Sequence, residues 1–241
     1  MMQAFLLALQ FLTCLPAPVR GYEPHQVGRS LLSYPLVGLL VGALLMAMAS
    51  VLAAAPLPLA AALILVAWVV ITGALHLDGL ADSADAWVGG HGERERTLAI
   101  MKDPAAGPVG VTAIMLTLLL KFVALQTMLA GSPTALLLAP LLGRTALPLL
   151  FLTTPYVRAG GLGEAMAHHL PRQGALLVTA SGAMLAVFIG GFLPVLMAGA
   201  VFVLLRTLMM RRIAGTTGDT AGATVELVEA AVLVTLACCM E

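Results

Sequence analysis

Charge is scarce in this 241-residue chain: 12 Lys and Arg with 12 Asp and Glu make up only 10% of it. Soluble domains carry about 25% charged residues. So little charge cannot coat a water-facing globule. The formal net charge is zero, so there is no basic field to attract nucleic acid. Cysteine is equally sparse. Cys14, Cys238 and Cys239 form no C-x-x-C and no Cys/His cluster, which argues against a structural zinc site and a disulfide framework. The apolar start, Met1 to Pro16, lacks a basic leader and a small-x-small cleavage site. It reads as a short interfacial or half-buried helix rather than a signal peptide.

What the chain has instead is apolar length, with 61% hydrophobic residues. A bilayer core of about 30 Å requires about 20 apolar residues per helix. Runs of this kind cover 31–54, 58–76, 108–130, 133–153, 174–193, 194–210 and 224–240. The sequence therefore predicts an all-α, polytopic helical bundle, one transmembrane domain over 1–241. It has about seven spans, or six if the fifth and sixth runs form one broken helix at Gly190-Gly191-Phe192-Leu193-Pro194.

Alternate connections separate by charge. Arg20, Glu23 and Arg29 precede the first span. Asp78, Asp82, Asp85, Glu93, Arg94, Glu95, Arg96, Lys102 and Asp103 lie between the second and third. Arg158, Glu164 and Arg172 follow the fourth, and Arg211, Arg212 and Asp219 follow the sixth. The links near Ala55–Pro58, Gly131–Ser132 and Gly190–Pro194 carry none; only Glu241 falls on their side. The positive-inside rule assigns the charged face to the cytoplasm.

Three segments on that face can carry chemistry. In His76-Leu-Asp78-Gly-Leu-Ala-Asp82-Ser-Ala-Asp85 the aspartates stand at i, i+4 and i+7, one face of a helix. Clustered carboxylates repel, and a cation relieves that repulsion. Magnesium is commonly held by a few carboxylates plus substrate phosphates. The plainer alternative is a solvated acidic helix end, and His76 lies off the shared face. The second segment, Gly215-Thr216-Thr217-Gly218-Asp219-Thr220-Ala-Gly222, offers glycines and hydroxyls at a helix entrance, where backbone N–H groups approach phosphate. Asp219 can equally be an ordinary helix-start residue. Glu226, deeper in the same run, is costly in lipid unless it faces a polar cavity. The third segment, Arg94 to Gly110, sets cations beside a glycine-containing helix start, and ordinary positive-inside flanking explains it as well.

Lys121 and Arg144 fall mid-way in apolar runs. They are expected to face the bundle interior and to pair with acids or an anionic ligand. Arg206 is near a span end and can snorkel. Tyr156 and Arg158 form an anion-facing pair, or Tyr156 belongs to an interfacial belt. Acids for a metal and cations for phosphate on one face suggest Mg²⁺-assisted phosphoryl transfer on an amphiphilic substrate.

At these motifs the chain resembles the cobalamin synthase family, the adenosylcobinamide-GDP ribazoletransferases. The resemblance runs nearly end to end. It includes Phe11-Leu12-Thr13 with Leu15-Pro16, Tyr34-Pro35-Leu36-Val37-Gly38, His76 to Asp85 and Ile100-Met101-Lys102-Asp103 with Gly107 and Gly110. It continues through Leu120-Lys121, Tyr156 with Arg158, Gly161-Leu162-Gly163, and Thr217-Gly218-Asp219-Thr220 with Gly222 and Glu226. The resemblance implies transfer of the cobinamide phosphoryl group of adenosylcobinamide-GDP to a hydroxyl of α-ribazole or its 5′-phosphate, with loss of GMP. It implies a magnesium-dependent multi-pass protein of the bacterial inner membrane, active on the cytoplasmic face. A second copy or other membrane-associated corrinoid enzymes would be its protein partners.

Carried onto this chain, that chemistry makes Asp78, Asp82 and Asp85 the catalytic and metal-binding acids, with Asp82 the most critical and one of the three the base. Asp219 and Glu226 become ligands of a second metal. Lys102, Arg94, Arg96, Lys121, Gly218 and Thr220 become contacts for the diphosphate or guanosine phosphate. Cys14, Pro104 and Ala105 depart from the family pattern; the latter two remove the anion contact expected of that loop, with Lys102 as its replacement or none. CDP-alcohol phosphotransferases also use an Asp-rich helix, but here Asp85 runs into Ala86-Trp87-Val88-Gly89 instead of a further aspartate turn. A transporter would suit Lys121 and Arg144, yet the Asp-rich segment has no visible repeat in the second half.

Overall fold

The computed structural model describes residues 2–19, 21–131, 133 and 135–239. Arg20, Ser132 and Glu241 of the charge pattern lie outside the described residues. The elements are α1 (Met2–Leu12), α2 (Pro24–Ser30), α3 (Tyr34–Val51), α4 (Leu57–Thr72), α5 (Leu75–Gly89), α6 (Arg94–Ile100), α7 (Pro108–Ala130), α8 (Ala135–Thr153), α9 (Leu162–His168), α10 (Arg172–Gly190), α11 (Phe192–Ile213) and α12 (Gly218–Cys238). Among the described residues, the only bridge between extended segments is an isolated one joining Tyr156 to Thr216.

Among the described residues, six helices are long and apolar enough to cross a bilayer: the α2–α3 pair as one unit, α7, α8, α10, α11 and α12. The seventh candidate is the pair α4 and α5, bent by 87° at the break. Gly73 (φ 61°) and Ala74 (φ 56°) make that bend in the left-handed region. Glycine adopts such a φ freely and alanine at a cost. After it, α5 runs nearly at right angles to α4 and packs against the first turns of α7 and α12. The alternative of one broken helix at residues 190–194 is resolved in favour of two. Gly191 (φ 79°) makes a tight turn between α10 and α11.

The most buried span is α8, with 83% of its apolar window enclosed. Small residues let its neighbours approach backbone to backbone, as in membrane bundles generally. A Cβ on Gly42 would meet the Leu136 carbonyl at 2.6 Å, and Gly38 lies as close to the Pro140 backbone. Gly143 of α8 in turn accommodates Val225 and Glu229 of α12. The carbonyl end of α8 receives two cations, Arg206 to Thr153 O (2.6 Å) and Arg172 to Leu152 O (3.2 Å), where a helix favours positive charge. Outward, Val66 and Val70 of α4, Met115 and Leu119 of α7, and Leu177 and Phe188 of α10 are exposed. These apolar faces suit lipid. The expected N-terminal helix is present as α1, and with Leu7 and Ala8 fully buried against the bundle it is the half-buried alternative.

Candidate active site

The site is set by a crossing of α5 and α12. Gly79 has no side chain where the Asp219 carbonyl stands, 2.6 Å from a would-be Cβ, and Gly222 faces the His76 backbone at 3.3 Å. Leu77, Leu80 and Ala223 seal the contact below. This brings the start of α12 against the acidic face of α5. The α12 start is itself fixed by reciprocal hydrogen bonds. Thr220 N donates to Thr217 Oγ1 (3.2 Å) and Thr217 N donates to Thr220 Oγ1 (2.9 Å), an arrangement that satisfies otherwise orphaned helix-start donors. The segment after α8 is tied alongside it, Val157 N to Thr216 O (3.0 Å) and Thr216 N to Pro155 O (2.8 Å). Tyr156 and Arg158 are thereby held at the α12 N-terminus.

Asp78 is exposed and Asp82 half-buried on one face of α5, as their spacing predicts. Burial, with the charges of Asp78, Asp219 and Asp85 added, raises the Asp82 carboxyl from 3.8 to about 6. Arg158 opposes this shift. Its Nη1 donates to Asp219 Oδ2 at 2.9 Å. Burial also raises the Tyr156 phenol, leaving it a neutral donor near neutral pH. Asp78, Asp219, His76, Tyr156 and Gly218 help to line a cavity of about 450 Å³.

The structure separates the remaining sequence candidates. Asp85 is not free for a metal in the expected way. Its Oδ2 accepts from Gly107 N (2.7 Å) and its Oδ1 from Gly110 N (2.9 Å). A carboxylate so placed caps the amide end of α7, where helix dipole and orphan N–H groups favour an anion. Glu226 and Lys121 lie in a buried ion-pair cluster further along α12. Lys121 Nζ donates to Glu226 (2.6 Å) and to Glu229 (2.5 Å), and Arg144 pairs with Glu229. All four are buried, and the Lys121 ammonium sits 4.7 Å from the Trp68 ring centre. Of the two alternatives for Lys121 and Arg144, pairing with acids holds. Two cations facing two anions in an apolar interior leave no net charge for a metal or diphosphate.

Thr220 is buried, with its hydroxyl occupied in the helix cap, so it is not positioned to bind phosphate. Arg94 Nε donates to the Ile213 carbonyl at the end of α11 (2.9 Å), which makes it an anchor for α6. Arg96 and Lys102 are exposed. Lys102 follows Met101, whose sulfur receives the Thr217 hydroxyl at 3.8 Å, so its loop lies beside the α12 start. Gly218 is exposed at the cavity wall. Among the described residues, no group of three or more His, Cys, Asp or Glu is placed to hold a metal ion. What remains together is Asp78, Asp82 and Asp219, with Arg158 and Tyr156 against them.

Two partnerships are not evident from the sequence: Arg158 with Asp219, and Glu229 as the acid that joins Lys121 to Arg144. Its spacing from Glu226, i and i+3 on one helix, is the signal that could have found it.

Comparison with known proteins agrees along the whole chain. The family model described as Cobalamin-5-phosphate synthase matches residues 4–237. A protein of Pseudomonas fluorescens (strain SBW25) named adenosylcobinamide-GDP ribazoletransferase is 56% identical over 241 residues, covering 98% of this chain and 100% of the relative. One of the same name from Pseudomonas putida (strain GB-1) is 58% identical, covering 98% of this chain and 99% of the relative. No solved structure matches. With the motifs lying at the α5–α12 crossing and the match spanning nearly every residue, the chain belongs to the cobalamin-5-phosphate synthase family.

Proposed function

We propose that this protein is an adenosylcobinamide-GDP ribazoletransferase, joining adenosylcobinamide-GDP to α-ribazole or its 5′-phosphate with release of GMP. The observation that carries the reading is the convergence of Asp78 and Asp82 with the Asp219–Arg158 pair at the α12 N-terminus, in a chain whose full-length relatives bear that name.

The residues divide the work as follows. One of the clustered α5 aspartates accepts the proton of the attacking ribose hydroxyl. The new bond forms from that oxygen to the cobinamide-linked phosphorus, and the bond from that phosphorus to the GMP oxygen breaks. Arg158 and the exposed Lys102 and Arg96 face the negative charge that gathers on the diphosphate. The α12 N-terminus, with Gly218 uncovered, adds its dipole and free amides.

The donor set fits magnesium. Mg²⁺ is commonly held by one or two carboxylates plus substrate phosphates instead of an all-protein cage. Asp78 and Asp82 are such a pair, and their mutual repulsion with Asp219 is relieved by a cation. When bound there, Mg²⁺ would neutralise charge on the diphosphate oxygens. The charged end of the bundle, with Arg94, Arg96, Lys102, Arg211 and Arg212, favours a cytoplasmic site in a bacterial inner membrane.

The test is direct. Protein purified in detergent is supplied with adenosylcobinamide-GDP, α-ribazole 5′-phosphate and Mg²⁺. The expected result is stoichiometric GMP and adenosylcobalamin 5′-phosphate. Folded protein that yields neither overturns the reading.

A further inference from the structure

On the face of α5 opposite the acids, a second groove lies between α5, α11 and the starts of α7 and α12. Leu80, Ala84 and Trp87 line it from α5. Their i, i+4 and i+7 spacing puts them half a helical turn away from Asp78, Asp82 and Asp85. Leu205, Leu208 and Met209 of α11 form the facing wall. The space measures about 300 Å³ and is almost wholly apolar, at the lower end of the range for small-ligand sites. Two of its lining residues, Val88 and Val109, are exposed, and so are Val203 and Leu204 on α11. The groove therefore opens onto the lipid-facing surface. One hydroxyl stands in it. Ser83 is 8% exposed, and among the described residues its Oγ has no hydrogen-bond partner. Burying such a group is costly unless an occupant supplies an acceptor.

The groove ends in positive charge. Arg212 follows Leu205, Leu208 and Met209 at i+7, i+4 and i+3, so it stands on the same face of α11, one turn nearer the charged end. Its Nη1 is buried and, among the described residues, has no partner. Arg211 is its neighbour, and Arg94 is held at the same helix end by its bond to the Ile213 carbonyl. Among the described residues, no acid pairs with any of these three arginines. Ordinary positive-inside flanking accounts for the exposed Arg211 but not for a buried, unmatched nitrogen on Arg212. We infer that the groove binds an anionic phospholipid from the leaflet at the charged face, with an acyl chain between α5 and α11, an ester carbonyl accepting from Ser83, and the phosphate at Arg212. A peptide segment fits less well, because its backbone donors and acceptors would meet a wall that offers one hydroxyl. A zwitterionic lipid would bring its own cation among three unpaired arginines. Lodged there, the lipid braces α5 from behind the acids.

Trp87 is one of two tryptophans, so it can report on the groove directly. Full-length protein carrying Trp68→Phe is reconstituted in phosphatidylcholine vesicles. Emission from Trp87 is then titrated with a minor fraction of phosphatidylglycerol, or of phosphatidylcholine, brominated along the acyl chain. Brominated phosphatidylglycerol is expected to quench with about fivefold higher apparent affinity, the size of one arginine–headgroup attraction. Arg212→Gln should remove this preference. Arg211→Gln, which deletes an equal charge one residue away, should lower it by less than about twofold. Val109→Phe, which fills the groove, should cut quenching by both lipids. If Trp68→Phe does not fold, native mass spectrometry of the wild-type protein gives the same comparison, with phosphatidylglycerol retained in preference to phosphatidylcholine. Equal affinity for the two lipids, or equal losses in Arg211→Gln and Arg212→Gln, overturns the site, because the attraction is then only that of the whole charged face. Quenching by neither lipid also overturns it and points to another occupant, such as a partner helix.

Discussion

Helix α12 carries two sets of acids that meet opposite fates. At its start, Asp219 joins Asp78 and Asp82 in a half-open groove with one neighbouring cation, Arg158. Two and three turns further in, Glu226 and Glu229 are buried against Lys121 and Arg144, each charge matched. The difference separates chemistry from scaffold. A charge cluster completed by the protein's own side chains is structural, whereas one left with surplus like charge is poised to receive something. The buried set ties α7, α8 and α12 together within the bundle. The open set lies at their end, where substrate can arrive.

Breaking the buried set should have the largest effect on stability. Lys121→Met or Glu229→Gln leaves an unmatched charge in the interior, and loss of one member of such a pair costs about 3–5 kcal/mol. Thermal unfolding in detergent should show a large drop in midpoint for either variant; an unchanged midpoint would return Lys121 to the list of substrate contacts. Asp85→Asn should be milder. It exchanges two charge-assisted bonds to Gly107 and Gly110 for weaker ones, a loss of about 1–3 kcal/mol. Activity should fall through misplacement of α7, and hydrogen exchange at residues 107–111 should accelerate. If activity vanishes with no local loosening, Asp85 belongs with the metal ligands after all.

The smallest effect is a pH dependence. The folded Asp82 carboxyl is raised to about 6, above its ordinary 3.8. Between those values the folded state holds a proton the unfolded state has released, so this group's contribution to stability declines as pH rises through that window and stays unfavourable above it. Function runs the other way. If Asp82 holds Mg²⁺ as proposed, its proton competes with the ion, and the Mg²⁺ concentration for half-maximal turnover should increase as pH falls below about 6. A Mg²⁺ requirement independent of pH from 5 to 8 would mean that Asp82 does not hold the ion.

The spans, the one-sided charge and the α5 acidic face were legible because each depends on local sequence: apolar length, loop composition and a 3.6-residue period. Asp78 and Asp82 sharing a face follows from spacing alone. Partner choice was not legible. Nothing near Asp85 reveals that Gly107 and Gly110 would bring the α7 amides to it, and nothing near Glu226 says that α7 places Lys121 against it. The 87° bend was hidden for a related reason: an apolar run through residue 76 reads as one span, whereas Gly73 and Ala74 turn the chain before the histidine. His76 then became buried by contact with Gly222, a long-range packing event that periodicity does not encode.

The central claim is that the open acids serve turnover at a cost to stability. Asp82→Asn tests it most directly, with turnover and thermal midpoint measured on the same preparation at neutral pH. The account predicts activity reduced by about a thousandfold or more, as expected when a metal-binding or basic group is lost, together with a midpoint equal to or above that of the wild type, because like-charge repulsion with Asp78 and Asp219 is removed. Turnover near the wild-type rate, or a loss of activity that merely follows a collapse of the midpoint, would contradict it.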